Sequence, residues 1–342
     1  MRYKLLGKSG LRVSEICLGT MTFGEEWGWG ASKAESRKMY DAYINKGGNF
    51  IDTANRYTEG TSEKYVGEFI ASERERIVLA TKYSLFNKLG DPNLSGNHRK
   101  NMMQSVEGSL KRLNTDYIDL LYLHAWDFLT PVEEVMRSLD DLIRAGKVLY
   151  IGISDTPAWV VSRANMLADL RGWTSFTGLQ IEYSLIERTP ERELLPMAKE
   201  LGMSVVAWAP IAGGALTGKY LNKKPQSGRL SEKSERLNEH NKKIVKAVVG
   251  IAELTGRTAA QVAVRWTMQR EQQVIPIVGS RKLKQIEDTL AAADFELNPE
   301  HIKQLDDISK IKLGFPHDFL ASNNIRKIVY AGTWDKIDRD RK

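Results

Sequence analysis

The sequence predicts an α/β fold, a closed (β/α)8 barrel of the TIM type, and three observations carry that prediction. Eight short apolar segments alternate with eight amphipathic helical ones between about residues 16 and 292. The apolar segments are continuous Val/Ile/Leu runs, as expected of parallel strands buried on both faces. An open doubly wound sheet is the competing architecture, but it normally carries a glycine fingerprint at its first strand–helix turn. The nearest match, GWGASK at 28–33, follows no strand and lacks the third glycine. Repeated strand–helix units without that fingerprint favour closure.

The elements follow in order. YKLLGKSGLRVS reads as an N-terminal hairpin ahead of a short first barrel strand, Ile16 to Leu18. The strands after it are read at 49–52, 77–82, 117–124, 148–154, 178–183, 204–210 and 274–280. The helices are read at 32–45, 62–70 with Ser62 as N-cap, 98–113, 131–145, 157–170, 191–201, 258–270 and 282–292. Residues 213–240, after the seventh strand, are too long and polar for a barrel loop and read as an insertion or flap. The segment from about 293 to 342 carries aromatics and is expected to fold back over the active-site face of the barrel. The whole chain, 1–342, is read as a single domain.

Composition narrows the class. Of 342 residues, 42% are hydrophobic and 27% charged, the balance of a globular protein with an ample core. No run approaches the roughly 18 apolar residues a membrane span needs, and the charged N-terminus has no signal-peptide apolar region. Cys17 is the single cysteine, so no intramolecular disulfide forms; a reducing, cytoplasmic setting is expected. The net charge of +7 is spread along the chain, which argues against nucleic acid as partner; RKLK at 281–284 suits a small phosphate-bearing molecule.

Barrels of this kind place their working groups at the C-terminal ends of strands. Those ends deliver Asp52, Lys82 and His124, and Tyr57 follows in the loop after Asp52. An ammonium at the end of the apolar run before Lys82 needs a counter-charge, which Asp52 offers. A cation close to the phenol is expected to lower its pKa and bring Tyr57 into use as a general acid. His124 is placed to donate a hydrogen bond to a carbonyl oxygen. No serine nucleophile with a base and no metal-ligand cluster accompanies them, so no metal is expected. A purely structural ion pair is the bland alternative. GGALTGK at 213–219 has phosphate-loop spacing, but Tyr220 stands where that motif needs Ser or Thr.

With these residues go the stretches FIDTANRYTEG, LATKYS, DLLYLHAWD, GKVLYIGIS, LQIEYSLIER and IPIVGSRKLKQIEDTL. Together they resemble the aldo-keto reductase family from the hairpin to about residue 310, most closely its aryl-alcohol-dehydrogenase-like and potassium-channel-β-subunit-like branches. The family's Asp, Tyr, Lys and His tetrad falls on Asp52, Tyr57, Lys82 and His124. The resemblance implies reversible hydride transfer between NADP(H) and an aldehyde or ketone, with Tyr57 protonating the oxygen, Lys82 and Asp52 assisting it and His124 orienting the substrate.

Cofactor contacts are implied residue by residue. Gly19, Thr20 and Met21 after the first strand are implied contacts, with Asp52 near the nicotinamide ribose; Ser154, Asp155 and Gln180 at the carboxamide; Trp208 by the ring, and Ala209 among the contacts. Pro210, Ile211, Gly213, Leu216 and Lys219 are implied around the pyrophosphate. Gly279, Ser280, Arg281, Gln285 and Asp288 are implied at the adenosine end, with Arg281 facing a 2′-phosphate and Arg229 clamping over it. Trp27, Trp29, Tyr57 and Trp126 are candidates for the substrate pocket, whose aromatic walls suit flat or apolar carbonyl compounds. The other reading is an NADP(H)-binding, redox-sensing regulatory subunit with little turnover.

Overall fold

The computed structural model describes residues 1–221, 229–231 and 233–338, so residues 222–228 and 232 of the expected insertion, and the last four of the C-terminal segment, lie outside the described residues. Strands β1 (Tyr3–Leu5) and β2 (Arg12–Ser14) pair antiparallel as the expected hairpin. The barrel strands are β3 (Cys17–Gly19), β4 (Phe50–Asp52), β5 (Val78–Tyr83), β6 (Ile118–Leu123), β7 (Val148–Ser154), β8 (Gly178–Glu182), β9 (Ser204–Trp208) and β10 (Val274–Val278). They form a closed barrel in sequence order, with β10 joined back to β3 and every neighbour parallel.

Helices α1 (Lys33–Asn45), α2 (Thr61–Ile70), α3 (Arg99–Leu113), α4 (Val132–Arg144), α5 (Ala158–Arg171) and α6 (Leu194–Glu200) follow the first six barrel strands. Two helices, α7 (Glu239–Thr255) and α8 (Ala259–Met268), follow β9, and α9 (Leu283–Leu290) follows β10. Three more close the chain: α10 (Pro299–Ser309), α11 (His317–Ala321) and α12 (Asn323–Val329). Neither α7 nor α10 is anticipated in the sequence reading. α7 is well signalled in retrospect: Asn238 caps it through Asn241 N, Gly256 ends it in the left-handed region, and Ile244, Val245, Val248 and Ile251 form its buried stripe.

The N-cap of α2 also differs from expectation. Gly60, at φ +89°, occupies the cap, and Ser62 lies inside the first turn. The Ser62 hydroxyl instead donates to Thr20 O at 2.8 Å, tying α2 to the end of β3.

Side-chain parity positions the site. Along a strand every second side chain faces the same way. Cys17, Phe50, Val78, Ala80, Leu120, Tyr122, Val206 and Ile275 share one buried cluster with Leu6 and Val13 of the hairpin region. The same parity carried one step on places Asp52, Lys82 and His124 in a layer above them. The hairpin closes the opposite end: Gly7 N donates to Ser204 Oγ at 2.7 Å and Gln273 Nε2 to Leu5 O at 3.1 Å, both at strand beginnings.

The C-terminal segment packs on the loop before α6. Arg192 donates to Lys312 O at 3.1 Å, and His317 lies 3.0 Å from Glu193. None of its described residues lines the cavity at the barrel mouth, so the described part does not form the expected cover over the site. Among the described residues, no helix is long and apolar enough to cross a membrane.

Candidate active site

A cavity of about 590 Å³ opens at the C-terminal ends of the strands. Asp52, Tyr57 and His124 lie on its wall. Lys82, fully buried, sits behind them. Lys82 Nζ donates to Asp52 Oδ2 at 2.6 Å, to Thr53 O at 2.9 Å and to Tyr57 Oη at 3.2 Å. All three ammonium hydrogens are therefore used, which anchors the Lys82 head group. Gln180 Nε2 donates to Asp52 Oδ1 at 2.8 Å, so both carboxylate oxygens are held. The His124 ring stands edge-on to Tyr57, centroids 5.9 Å apart.

Electrostatics set the protonation states. Burial alone would lower the Lys82 pKa, but Asp52 and Tyr57 outweigh it and the ammonium is held charged. Tyr57 is corrected relative to the sequence reading. Burial against the cavity wall raises its pKa, and Lys82 only partly opposes that rise, with Asp52 adding to it. The phenol therefore keeps its proton at neutral pH.

His124 is pushed down to about 3, by burial first and by Lys82 second, so its imidazole is neutral at pH 7. Its Nδ1 is buried without a partner among the described residues. The unfolded chain takes up this proton near pH 6.5 and the folded one only near 3. Stability thus falls as pH drops through that window, by about 1.4 kcal/mol per pH unit in its middle. Denaturant midpoints measured from pH 7 to pH 5 are expected to show this loss, with a flatter slope in His124→Gln. An unchanged slope in the variant would assign the proton uptake to other groups.

Beyond the tetrad the cavity extends over the ends of β9, β10 and β3. Ser154, Asp155, Trp208, Ala209, Pro210, Ile211, Gly213, Lys219, Arg229, Gly279, Ser280, Arg281, Gln285, Asp288, Gly19 and Met21 all line it, as do Trp27 and Trp29. Trp208 Nε1 donates to Asp155 Oδ1 at 3.1 Å. The Asp288 carboxylate accepts from Thr258 Oγ1 at 3.0 Å and Gln261 Nε2 at 2.9 Å, which fastens α9 to the capping box of α8. Three other expected residues are elsewhere. Thr20 is buried and donates to Asp52 O, and Leu216 is a core residue. Trp126 lines a neighbouring cavity.

Residues that sequence reasoning missed include Arg56, Leu85, Gly214, Arg236, Ala260 and Val264, all on the wall. Arg56 directly precedes Tyr57, and its guanidinium lies 4.2 Å from the Phe86 ring centroid. Ala260 and Val264 stand one turn apart on α8, a spacing that reads as ordinary core.

The cavity's second half suits an anionic, phosphate-bearing group. Arg229 is pushed down by burial first and then by the neighbouring Arg236 and Arg281, a crowding of guanidinium groups that a phosphate would relieve. Arg236 pairs with Glu182, whereas no carboxylate among the described residues pairs with Arg229, which stacks on Trp29 at 4.7 Å. Gly213 and Gly214, at φ +66° and +95°, bend the backbone in a way L side chains resist. A Cβ on Gly19 would stand 2.6 Å from Ile277 Cγ2, so this rim has no room for one.

Chemically, the floor can give a proton from Tyr57 Oη to an oxygen held near the neutral His124, with Lys82 charged beside the phenol. Similarity to known proteins points the same way. Residues 15–310 match the model of the aldo/keto reductase family. Over 328 residues the chain is 39% identical to a norsolorinic acid reductase of Aspergillus flavus, covering 92% of this chain and 83% of that one. It is 39% identical over 350 residues to an aryl-alcohol dehydrogenase [NADP(+)] of Phanerodontia chrysosporium, covering 96% and 91%. An aryl-alcohol dehydrogenase of Pestalotiopsis microspora is 37% identical over 330 residues, covering 94% and 85%. A closed eight-stranded barrel with Asp52, Lys82, Tyr57 and His124 gathered at its mouth, matched over most of its length, belongs to the aldo/keto reductase family.

Proposed function

We propose that this protein is an NADP(H)-dependent oxidoreductase that reduces aldehydes or ketones, aryl ones foremost, to alcohols. The observation that carries the reading is Lys82 Nζ set between Asp52 and the Tyr57 hydroxyl at the floor of an aromatic-walled cavity. When bound, the nicotinamide supplies the hydride that reaches the carbonyl carbon. Tyr57 Oη holds the proton that the carbonyl oxygen needs. Its raised pKa keeps that proton in place until negative charge develops on the substrate oxygen. Lys82, charged at 3.2 Å, then stabilises the phenolate left behind, and Asp52 fixes the ammonium. A neutral His124 presents a polar group to the substrate oxygen without competing as an acid. Ser154, Gln180 and Trp208 would hold the nicotinamide end; Gly213, Lys219, Arg229, Ser280 and Arg281 would hold the phosphates.

The name of the Phanerodontia chrysosporium relative specifies NADP(+), and the crowding of Arg229 and Arg281 on the wall supports the same preference here. Consumption of NADPH with a panel of aryl and alkyl aldehydes, followed by absorbance, tests the reading. Turnover is expected, fastest with activated aryl aldehydes; none across the panel would sink it. Arg281→Ala is expected to raise the KM for NADPH by roughly ten- to a hundredfold, as for losing a charged hydrogen-bond partner, while the KM for NADH moves little. Equal effects on both cofactors would remove Arg281 from 2′-phosphate recognition.

A further inference from the structure

Three carboxylates line the main cavity, Asp52, Asp155 and Asp288, and two of them are already engaged. Asp52 holds the Lys82 ammonium and the Gln180 amide. Asp288, at the far end, accepts from Thr258 and Gln261. Asp155 accepts only the indole N–H of Trp208, on Oδ1 at 3.1 Å, and no Lys or Arg pairs with it among the described residues. Lys82 lies within electrostatic reach, but its three hydrogens go to Asp52, Thr53 and Tyr57. Glu182, near enough to feel the Asp155 charge, is neutralised by Arg236. Enclosure by the walls raises the Asp155 pKa, and Trp208 and Lys82 oppose that rise without cancelling it. The residue is nonetheless open to the cavity, so a bound molecule can meet it.

The fold does not ask for an acid at this position. Asp155 directly follows β7, its N donates to Gln180 O at 3.2 Å, and its φ is +39°. Asn enters that left-handed region as Asp does, and its amide oxygen would also accept the indole N–H. What the acid alone contributes is charge. That charge stands at the edge of Trp208, the ring that the reductase reading sets beside the nicotinamide. Lys219, Arg229 and Arg281 line the part of the cavity assigned to the phosphates. The cavity is therefore polarised, cationic at its phosphate end and anionic at its nicotinamide end.

We propose that the Asp155 carboxylate is the counter-ion of the oxidised nicotinamide ring. The ring of NADPH is neutral, whereas that of NADP+ carries a positive charge, the hydride having left with its electron pair. A carboxylate without a cation of its own favours the charged ring, as an opposite charge favours any ionised neighbour. Asp155 thus discriminates between the two redox forms of one cofactor. Arg281 cannot make that choice, because both forms carry the 2′-phosphate. The inference rests on the reductase reading given above, since it needs the nicotinamide beside Trp208.

Calorimetric titration of NADP+, NADPH and 2′,5′-ADP into the parent, Asp155→Asn and Asp155→Gly tests it. Gly also suits the left-handed backbone and removes the charge without supplying an amide. In both variants the Kd for NADP+ is expected to rise roughly tenfold relative to that for NADPH, the low end for losing a neighbouring opposite charge. The fragment 2′,5′-ADP, which has the phosphates without the nicotinamide, is expected to bind all three proteins alike. In aldehyde reduction, inhibition by the product NADP+ should weaken by the same factor. A variant that binds 2′,5′-ADP normally yet keeps the parent's ratio of NADP+ to NADPH affinity overturns the counter-ion and leaves the reductase reading standing. Equal weakening of both redox forms does the same, because it would make Asp155 an ordinary contact. If one variant loses 2′,5′-ADP binding, the ratio in the other decides. Parent protein that binds neither NADP+ nor NADPH overturns the counter-ion and the reductase reading together.

Discussion

Tyr57→Phe is expected to lower kcat by at least about a hundredfold with little change in KM, the signature of losing a group that acts only as charge develops. The phenyl ring keeps the edge-on packing of Tyr57 against His124 and Trp27, so the shape of the cavity is retained. What disappears is the proton on Oη and one acceptor for Lys82 Nζ. Folding stability is expected to shift by no more than about 1 kcal/mol, because the ammonium keeps Asp52 and Thr53 O as partners. Rates measured under single-turnover conditions would separate this chemical defect from slow product release. A variant within threefold of the parent would mean that another group supplies the proton.

Lys82→Met is expected to act on both activity and stability. Lys82 and Asp52 are almost wholly buried, at 0% and 3% side-chain exposure, 2.6 Å apart. Removing one partner of such a pair leaves the other charge stranded, at a cost of about 3–5 kcal/mol. Among the described residues, Asp52 then retains only the Gln180 amide, on Oδ1. The denaturation midpoint should therefore fall markedly in Lys82→Met and recover in part when Asp52→Asn is added. Activity should not recover in the double variant, because the phenol has lost its neighbouring cation. If the double variant is as unstable as the single one, the loss comes from packing around the lysine stem.

The different outcomes of sequence and structure have physical reasons. The eight strands and the tetrad were readable because the strands are mostly apolar runs and three of them bring a polar residue of the correct parity to their C-terminal ends, Asp52 closing Phe50–Asp52, Lys82 near the end of Val78–Tyr83 and His124 just after Ile118–Leu123. α7 was not, because its first turn, Glu239 to Lys242, continues the charged composition of the preceding insertion and its apolar stripe begins only at Ile244. Arg236 shows a second kind of blindness. It meets Glu182 from 54 residues away, and no local pattern announces an ion pair across that distance. The direction of the Tyr57 shift was misjudged because a nearby cation is visible in a list of charges, whereas desolvation depends on how closely the wall encloses the ring. Trp126, two residues beyond His124, illustrates a third reason. The loop turns after the strand end, and Trp126 lines the adjoining cavity.

The hairpin bonded to the beginnings of β9 and β10 leaves the first residue of the chain at the end of the barrel away from the cavity. A copy tethered to a bead or electrode through Met1 would therefore stand with its mouth toward the bulk liquid. Substrate would reach it unhindered by the support, and immobilised material should retain the catalytic rate of the free protein.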